Sequence, residues 1–244
     1  MGAQAATGAD MDPSDLWWNS GESGWGMQLV QGGDAVFATL YVYDAAGNPT
    51  FFTATLSASA AAWSGSLYRT TGPYFASPAF VPAQVAARAV GMLTFTPISS
   101  TTGGLQYSVD GVTVTKNVQR LLLRYDDYSG RYAITTQRAT THCADTAANV
   151  EATVPETLVV GQAGTLWTVD WTSAQRTCHY AGGFDQAGKV GFASTAYSCT
   201  DGEEGSISFF DLTRRAGFIA GRFQGHAISN GCDYRGQFAG ISPN

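Results

Sequence analysis

Apolar and polar residues alternate with a period of two along much of this chain, in short runs separated by turn residues. Gly26 to Gln31 and Ala35 to Tyr43 carry the alternation into a turn at Ala45 to Pro49, which predicts a hairpin. Thr50 to Leu56, Trp63 to Arg69, Gly91 to Thr96 and Leu105 to Val109 continue it. Asp110-Gly111 signals a type I′ turn, whose two central residues must take positive φ, and Val112 to Arg124 follows as a closing strand. Val81 to Ala89 breaks the pattern: Pro82 suits a first helical turn and the Ala-rich stretch propagates one, so a short helix is expected at 81–89. Further on, strands are expected at Leu158 to Val160, Leu166 to Thr172, Thr177 to Phe184, Val190 to Ser198, Ser206 to Leu212, Phe218 to Phe223 and Tyr234 to Ile241. Strands this short, evenly spaced and joined by consecutive turns predict an all-β meander, barrel or sandwich. The barrel is preferred because closure removes exposed strand edges.

The chain also echoes itself. Tyr43-Asp44-Ala45-Ala46-Gly47 returns as Phe184-Asp185-Gln186-Ala187-Gly188, and Gly65-Ser66-Leu67 as Gly205-Ser206-Ile207, about 140 residues on. A weaker echo sets Gly104-Leu105-Gln106-Tyr107 beside Gly231-Cys232-Asp233-Tyr234 at a shorter offset, and the Pro- and Ala-rich 70–89 stretch accounts for the surplus. Two tandem β-barrel-like domains are therefore expected at 15–124 and 131–244, with a mobile leader at 1–14 and a polar linker at 125–130.

Composition narrows the function classes. Charged residues make up 13% of the 244 residues and aromatics 12%, with a net charge of −6. The arginines are dispersed, so nothing resembles the basic stripe that neutralises a phosphate backbone; nucleic acid and anionic membrane are not expected partners. No run approaches the roughly 18 apolar residues of a spanning helix. The four cysteines, Cys143, Cys178, Cys199 and Cys232, all lie in the second half without a C-x-x-C pair, which favours disulfides over zinc and a secreted or periplasmic location, with any signal peptide removed. Three connectivities are open. A turn near Gly188 that folds Cys178 opposite Cys199 favours that bridge and leaves Cys143 for Cys232.

The densest chemical signal is Asp15-Leu16-Trp17-Trp18-Asn19-Ser20-Gly21-Glu22-Ser23-Gly24-Trp25-Gly26. Trp17, Trp18 and Trp25 with Asn19 and Glu22 suit an aromatic platform with polar hooks for a small amphipathic molecule or glycan; the competing reading is a plug closing one end of a barrel. The three histidines stand near cysteines, and a Cys143–Cys178 bridge would bring the neighbouring imidazoles together; dispersed histidines, no metal site and no cofactor are expected. Gly21-Glu22-Ser23-Gly24 is one residue short of G-x-S-x-G. Asp126/Asp127 and Glu203/Glu204 fall in expected turns as solvated charge, and Glu22 with Asp44 is a weak candidate acid–base pair.

This motif resembles the W-W-N-x-x-E-S-G-W-G segment of uncharacterised bacterial exported proteins, in which an aromatic-Asp-x-x-Gly turn and then G-x-L-Y-R-T-T-G-P follow. Here these are Tyr43 to Gly47 and Gly65 to Pro73, and Cys178-His179-Tyr180-Ala181-Gly182, Gln186-Ala187-Gly188 and Tyr197 to Gly202 resemble a companion pattern. The resemblance implies export and a β fold, and no catalytic residues. A fainter resemblance to lipocalins and avidins implies a first-strand Trp sealed by a late Arg, with Trp25 and Arg120 or Arg124 in those parts. The reading is a secreted non-enzymatic barrel protein binding a small amphipathic ligand or glycan. The alternatives are an extracellular assembly subunit, with self-association, and a hydrolase or cyclase housed in one barrel.

Overall fold

The computed structural model describes residues 11–243, so the first ten residues of the expected leader lie outside the described residues. Two compact units divide between Leu121 and Leu122, and each is a closed eight-stranded antiparallel barrel.

The first barrel runs in chain order through β1 (Asp15–Trp18), β2 (Gly26–Gly32), β3 (Ala35–Tyr43), β4 (Pro49–Ser59), β5 (Ala62–Thr71), β6 (Ala86–Pro97), β7 (Thr102–Val109) and β8 (Val112–Arg120), and closes by pairing β1 with β8. Period-two alternation fixes which face is inside. On β3, Val36, Ala38 and Leu40 are fully buried while Phe37 and Tyr41 stand outside. Asp110 and Gly111, between β7 and β8, take φ of +47° and +89°, the conformation the turn requires. The expected helix at 81–89 is reduced to one 3-10 turn at Pro82–Gln84. That turn buries no residue, and Ala86 to Ala89 instead pair with Thr71 to Tyr68, so ladder hydrogen bonds prevail over alanine's helical propensity.

The second barrel comprises β9 (Gly130–Thr141), β10 (Glu151–Ala163), β11 (Leu166–Thr172), β12 (Thr177–Ala187), β13 (Val190–Cys199), β14 (Glu204–Arg215), β15 (Phe218–Ala227) and β16 (Asp233–Ile241). Its closing neighbours are β16 and β9. The core is aromatic: Trp167, Trp171, Phe184, Phe209, Phe223 and Phe238 pack with ring centroids about 5 to 6 Å apart, largely edge to face. Residues 125–130 are held against this barrel. The Tyr125 hydroxyl donates to Asp185, the Asp126 amide donates to Gln186, and Tyr128 is fully buried with its hydroxyl on the Leu212 carbonyl. Cysteines pair as Cys143–Cys232 and Cys178–Cys199; the latter two are direct cross-strand partners on β12 and β13.

The echoed sequences fall on strands of different rank. The Tyr43 to Gly47 turn joins the third and fourth strands of its barrel, whereas Phe184 to Gly188 spans the fourth-to-fifth connection. Gly65 lies on a fifth strand and Gly205 on a sixth, yet both need a hydrogen for a side chain: a Cβ would strike the Thr55 carbonyl in one case and the His226 carbonyl in the other. On this correspondence β1–β7 match β10–β16. The remaining strand, β8, closes the first barrel at its end, while β9 fills the equivalent place between β16 and β10 from the beginning.

Candidate functional site

The Trp-rich segment is divided by the fold among three environments. Strand alternation sends Trp17 inward, where it is 1% exposed and meets Phe95 edge-on at 4.7 Å. Its Nε1 donates to the Pro13 carbonyl at 2.8 Å. Arg120, the cross-strand partner of Trp17 on β8, stacks over the indole at 4.8 Å. The guanidinium also donates to the carbonyls of Asp12, Ser14 and Ser100 and to the Asp15 carboxylate at 2.9 Å. The Trp–Arg seal thus exists, but with Trp17 in place of the expected Trp25; Trp17 is a closure residue and not part of a platform.

Trp25 and Glu22 remain together at the surface. The Trp25 indole donates to Glu22 Oε2 at 2.9 Å and Lys116 to Oε1 at 2.8 Å, and these hydrogen bonds, Lys116 first, hold the Glu22 carboxyl below the usual range. Asp44 is committed elsewhere, accepting from Asn48 and the Ala46 amide within its own turn. The two carboxylates are thus engaged in separate contacts.

Trp18 faces outward and lines a groove of about 350 Å³ with Asn19, Ile98, Thr102, Asn117 and Gln119. Asn19 is fixed by donating to the Asn117 carbonyl at 3.0 Å and accepting from the Gly21 amide. In contrast to Trp17 and Trp25, Trp18 has no hydrogen-bond partner for its Nε1. The groove is lined by no charged residue. Its walls offer an indole, an isoleucine, carboxamides and hydroxyls.

Sequence reasoning missed the polar mouth of the second barrel. Glu203, expected in a solvated turn, is 8% exposed and accepts from Arg176, Tyr197, Tyr234 and Asn230. Burial pushes its carboxyl upward, but the Arg176 and Tyr234 hydrogen bonds outweigh that and leave it below the ordinary glutamate range. Nearby, Glu156 accepts from Arg138 and from the Trp171 indole at 2.7 Å. The cavity these groups line holds about 40 Å³, room for roughly three waters and far below the roughly 300 Å³ of a small-molecule site. Every carboxylate oxygen in it has a donor, which makes the cluster a seal of that barrel.

The histidines also differ from expectation. Cys143–Cys232 pairing, and not Cys143–Cys178, brings two of them together: His142 and His226 each place Nδ1 on Asp233, at 2.9 and 2.8 Å. His179 stands apart on Asp170 at 2.7 Å.

No family model and no curated protein matches the chain. Among solved structures, a tryptophan-to-alanine mutant of the vaccine antigen transferrin binding protein B from Haemophilus parasuis is similar at 9% identity, over 89% of this chain and 60% of that one, with a TM-score of 0.31. The chain thus spans less than two thirds of that protein's length, and the assignment of two barrels rests on the strand pairing itself.

Proposed function

We propose that this is an exported protein that binds a neutral glycan in the Trp18 groove of its first barrel, without acting chemically on it. One observation carries the reading: a half-buried indole, its buried Nε1 without a polar partner, lines an uncharged groove whose hooks are carboxamides and hydroxyls. An indole face covers the apolar face of a sugar ring, and amides and hydroxyls exchange hydrogen bonds with its hydroxyls. At about 350 Å³ the groove falls within the range of small-ligand sites. The interiors do not compete, being filled by Trp17, Trp63 and Phe95 in the first barrel and by the aromatic cluster in the second. Two disulfides support an oxidising compartment. Fluorescence titration against neutral cello-, chito-, malto- and xylo-oligosaccharides tests the proposal. Binding is expected to vanish in Trp18→Ala and persist in Trp25→Ala; binding indifferent to Trp18 defeats the reading.

A second reading, assembly through the first barrel, is favoured by an exposed aromatic face. Phe37, Tyr41 and Phe51 are each nearly half exposed, Tyr41 faces Phe51 directly across β3 and β4, and Tyr68 adjoins them from β5. Concentration-dependent light scattering, abolished by Tyr41→Ser with Phe51→Ser, is the outcome that supports it.

A further inference from the structure

We infer that Ser206, His226 and Asp233 form a nucleophile–base–acid triad on the outer face of the second barrel, acting on short-chain carboxylic esters. This goes beyond the glycan proposal and uses none of its residues.

The register of three neighbouring strands carries the inference. Ser206 on β14 is the direct cross-strand partner of His226 on β15, which is the partner of Asp233 on β16. The central histidine therefore stands between the serine and the aspartate on one face of the sheet. Its Nδ1 lies 2.8 Å from Asp233 Oδ1, which leaves Nε2 across the ring as the basic nitrogen. His142 occupies the other Asp233 oxygen at 2.9 Å, so the carboxylate is fixed from both sides. A second row runs beside the first, with Ser194, Ser208, Gln224 and Arg235 as successive partners. Both rows line one surface groove of about 730 Å³.

Each part has a chemical task. Ser206 Oγ attacks the ester carbonyl carbon as His226 Nε2 takes the hydroxyl proton. The tetrahedral oxyanion faces the second row, where the Gln224 carboxamide and Arg235 guanidinium are the available donors. Collapse breaks the carbon–oxygen bond, and the alcohol leaves with the proton from Nε2. Water, deprotonated by the same nitrogen, then cleaves the acyl-serine, releasing the carboxylic acid and restoring the Ser206 hydroxyl. Asp233 orients the imidazole and stabilises its cation without itself taking the proton. The small, hydroxyl-rich floor of Ser194, Ala196, Ser206 and Ser208 gives a long acyl chain no apolar slot, hence the short-chain substrate.

The test is covalent labelling of the full chain with a fluorophosphonate probe at about pH 8, followed by peptide mass spectrometry. An adduct on Ser206 is expected in folded protein, lost on urea unfolding, and formed about 100-fold more slowly in His226→Ala, with Asp233→Asn also slowed. These side chains are exposed or partly so, and circular dichroism verifies that each variant folds. No adduct on Ser206 in the folded protein, or equal labelling of folded and unfolded chains, overturns the proposal. Loss of glycan binding in Trp18→Ala with Ser206 labelling intact separates its outcome from that of the first-barrel groove.

Discussion

Replacing Arg120 by alanine provides a demanding test of how the first barrel closes. The seam between β1 and β8 pairs only Trp17 with Arg120 and Trp18 with Gln119, against ten pairs between β9 and β10. Arg120 supplies what this short ladder lacks. Its side chain is fully buried and joins three backbone carbonyls from residues 12, 14 and 100, the Asp15 carboxylate and the Trp17 ring. Truncation removes the stacking, the ion pair with Asp15 and the buried donors to three carbonyls, a class of change that costs about 3–5 kcal/mol. For a unit of this size the loss is roughly 12–20 °C in Tm. Arg120→Lys keeps a charge but not the planar fork, and is expected to recover less than half of the loss. The assay is urea unfolding of the full chain with hydrogen exchange read at β1 and β8. Increased exchange concentrated at this seam is expected. A change below about 1 kcal/mol, with β1 protected as before, refutes the reasoning.

Trp17→Ala is expected to cost about 3–5 kcal/mol through cavity formation, and Trp18→Ala about 1 kcal/mol or less, as compared by thermal melts. Glu203 has a depressed folded pKa, so its contribution is present above the unfolded value of about 4.3 and lost as pH falls through the folded one. The stability gap between the parent and Glu203→Gln is thus expected to shrink below about pH 4.3 in urea melts; a gap that widens on acidification contradicts this. Loop entropy gives about 4.6 kcal/mol for the 89-residue separation of Cys143–Cys232 and about 3.3 for the 21-residue separation of Cys178–Cys199. Paired Cys→Ser variants are expected to rank in that order by chemical denaturation.

The strands and the hairpin disulfide were legible because their information is local. Alternation along Ala35–Tyr43 fixes a buried face, Asp110-Gly111 fixes a turn, and the turn before Val190 sets Cys178 opposite Cys199. Other features depend on partners far apart in the chain. Trp17 and Trp25 are indistinguishable as candidate plugs until Arg120, a hundred residues later, pairs beside one of them. Glu203 reads as a turn charge because its donors Arg176, Asn230 and Tyr234 come from three other connections or strands. His142 and His226 meet only because Cys143–Cys232 and the β9–β16 ladder bring Asp233 between them. The 81–89 segment failed for the opposite reason: its local helical preference was clear, and pairing with β5 overrode it.

The glycan site is tested most directly by a chemical-shift titration of isotopically labelled protein with the tightest-binding neutral oligosaccharide from the panel. The account predicts the largest shifts at the Trp18 indole N–H and at the side-chain amides of Asn19, Asn117 and Gln119, with the Trp25 indole little changed. Shifts centred on Trp25 and Glu22, or on the Arg176–Glu203 mouth of the second barrel, contradict it.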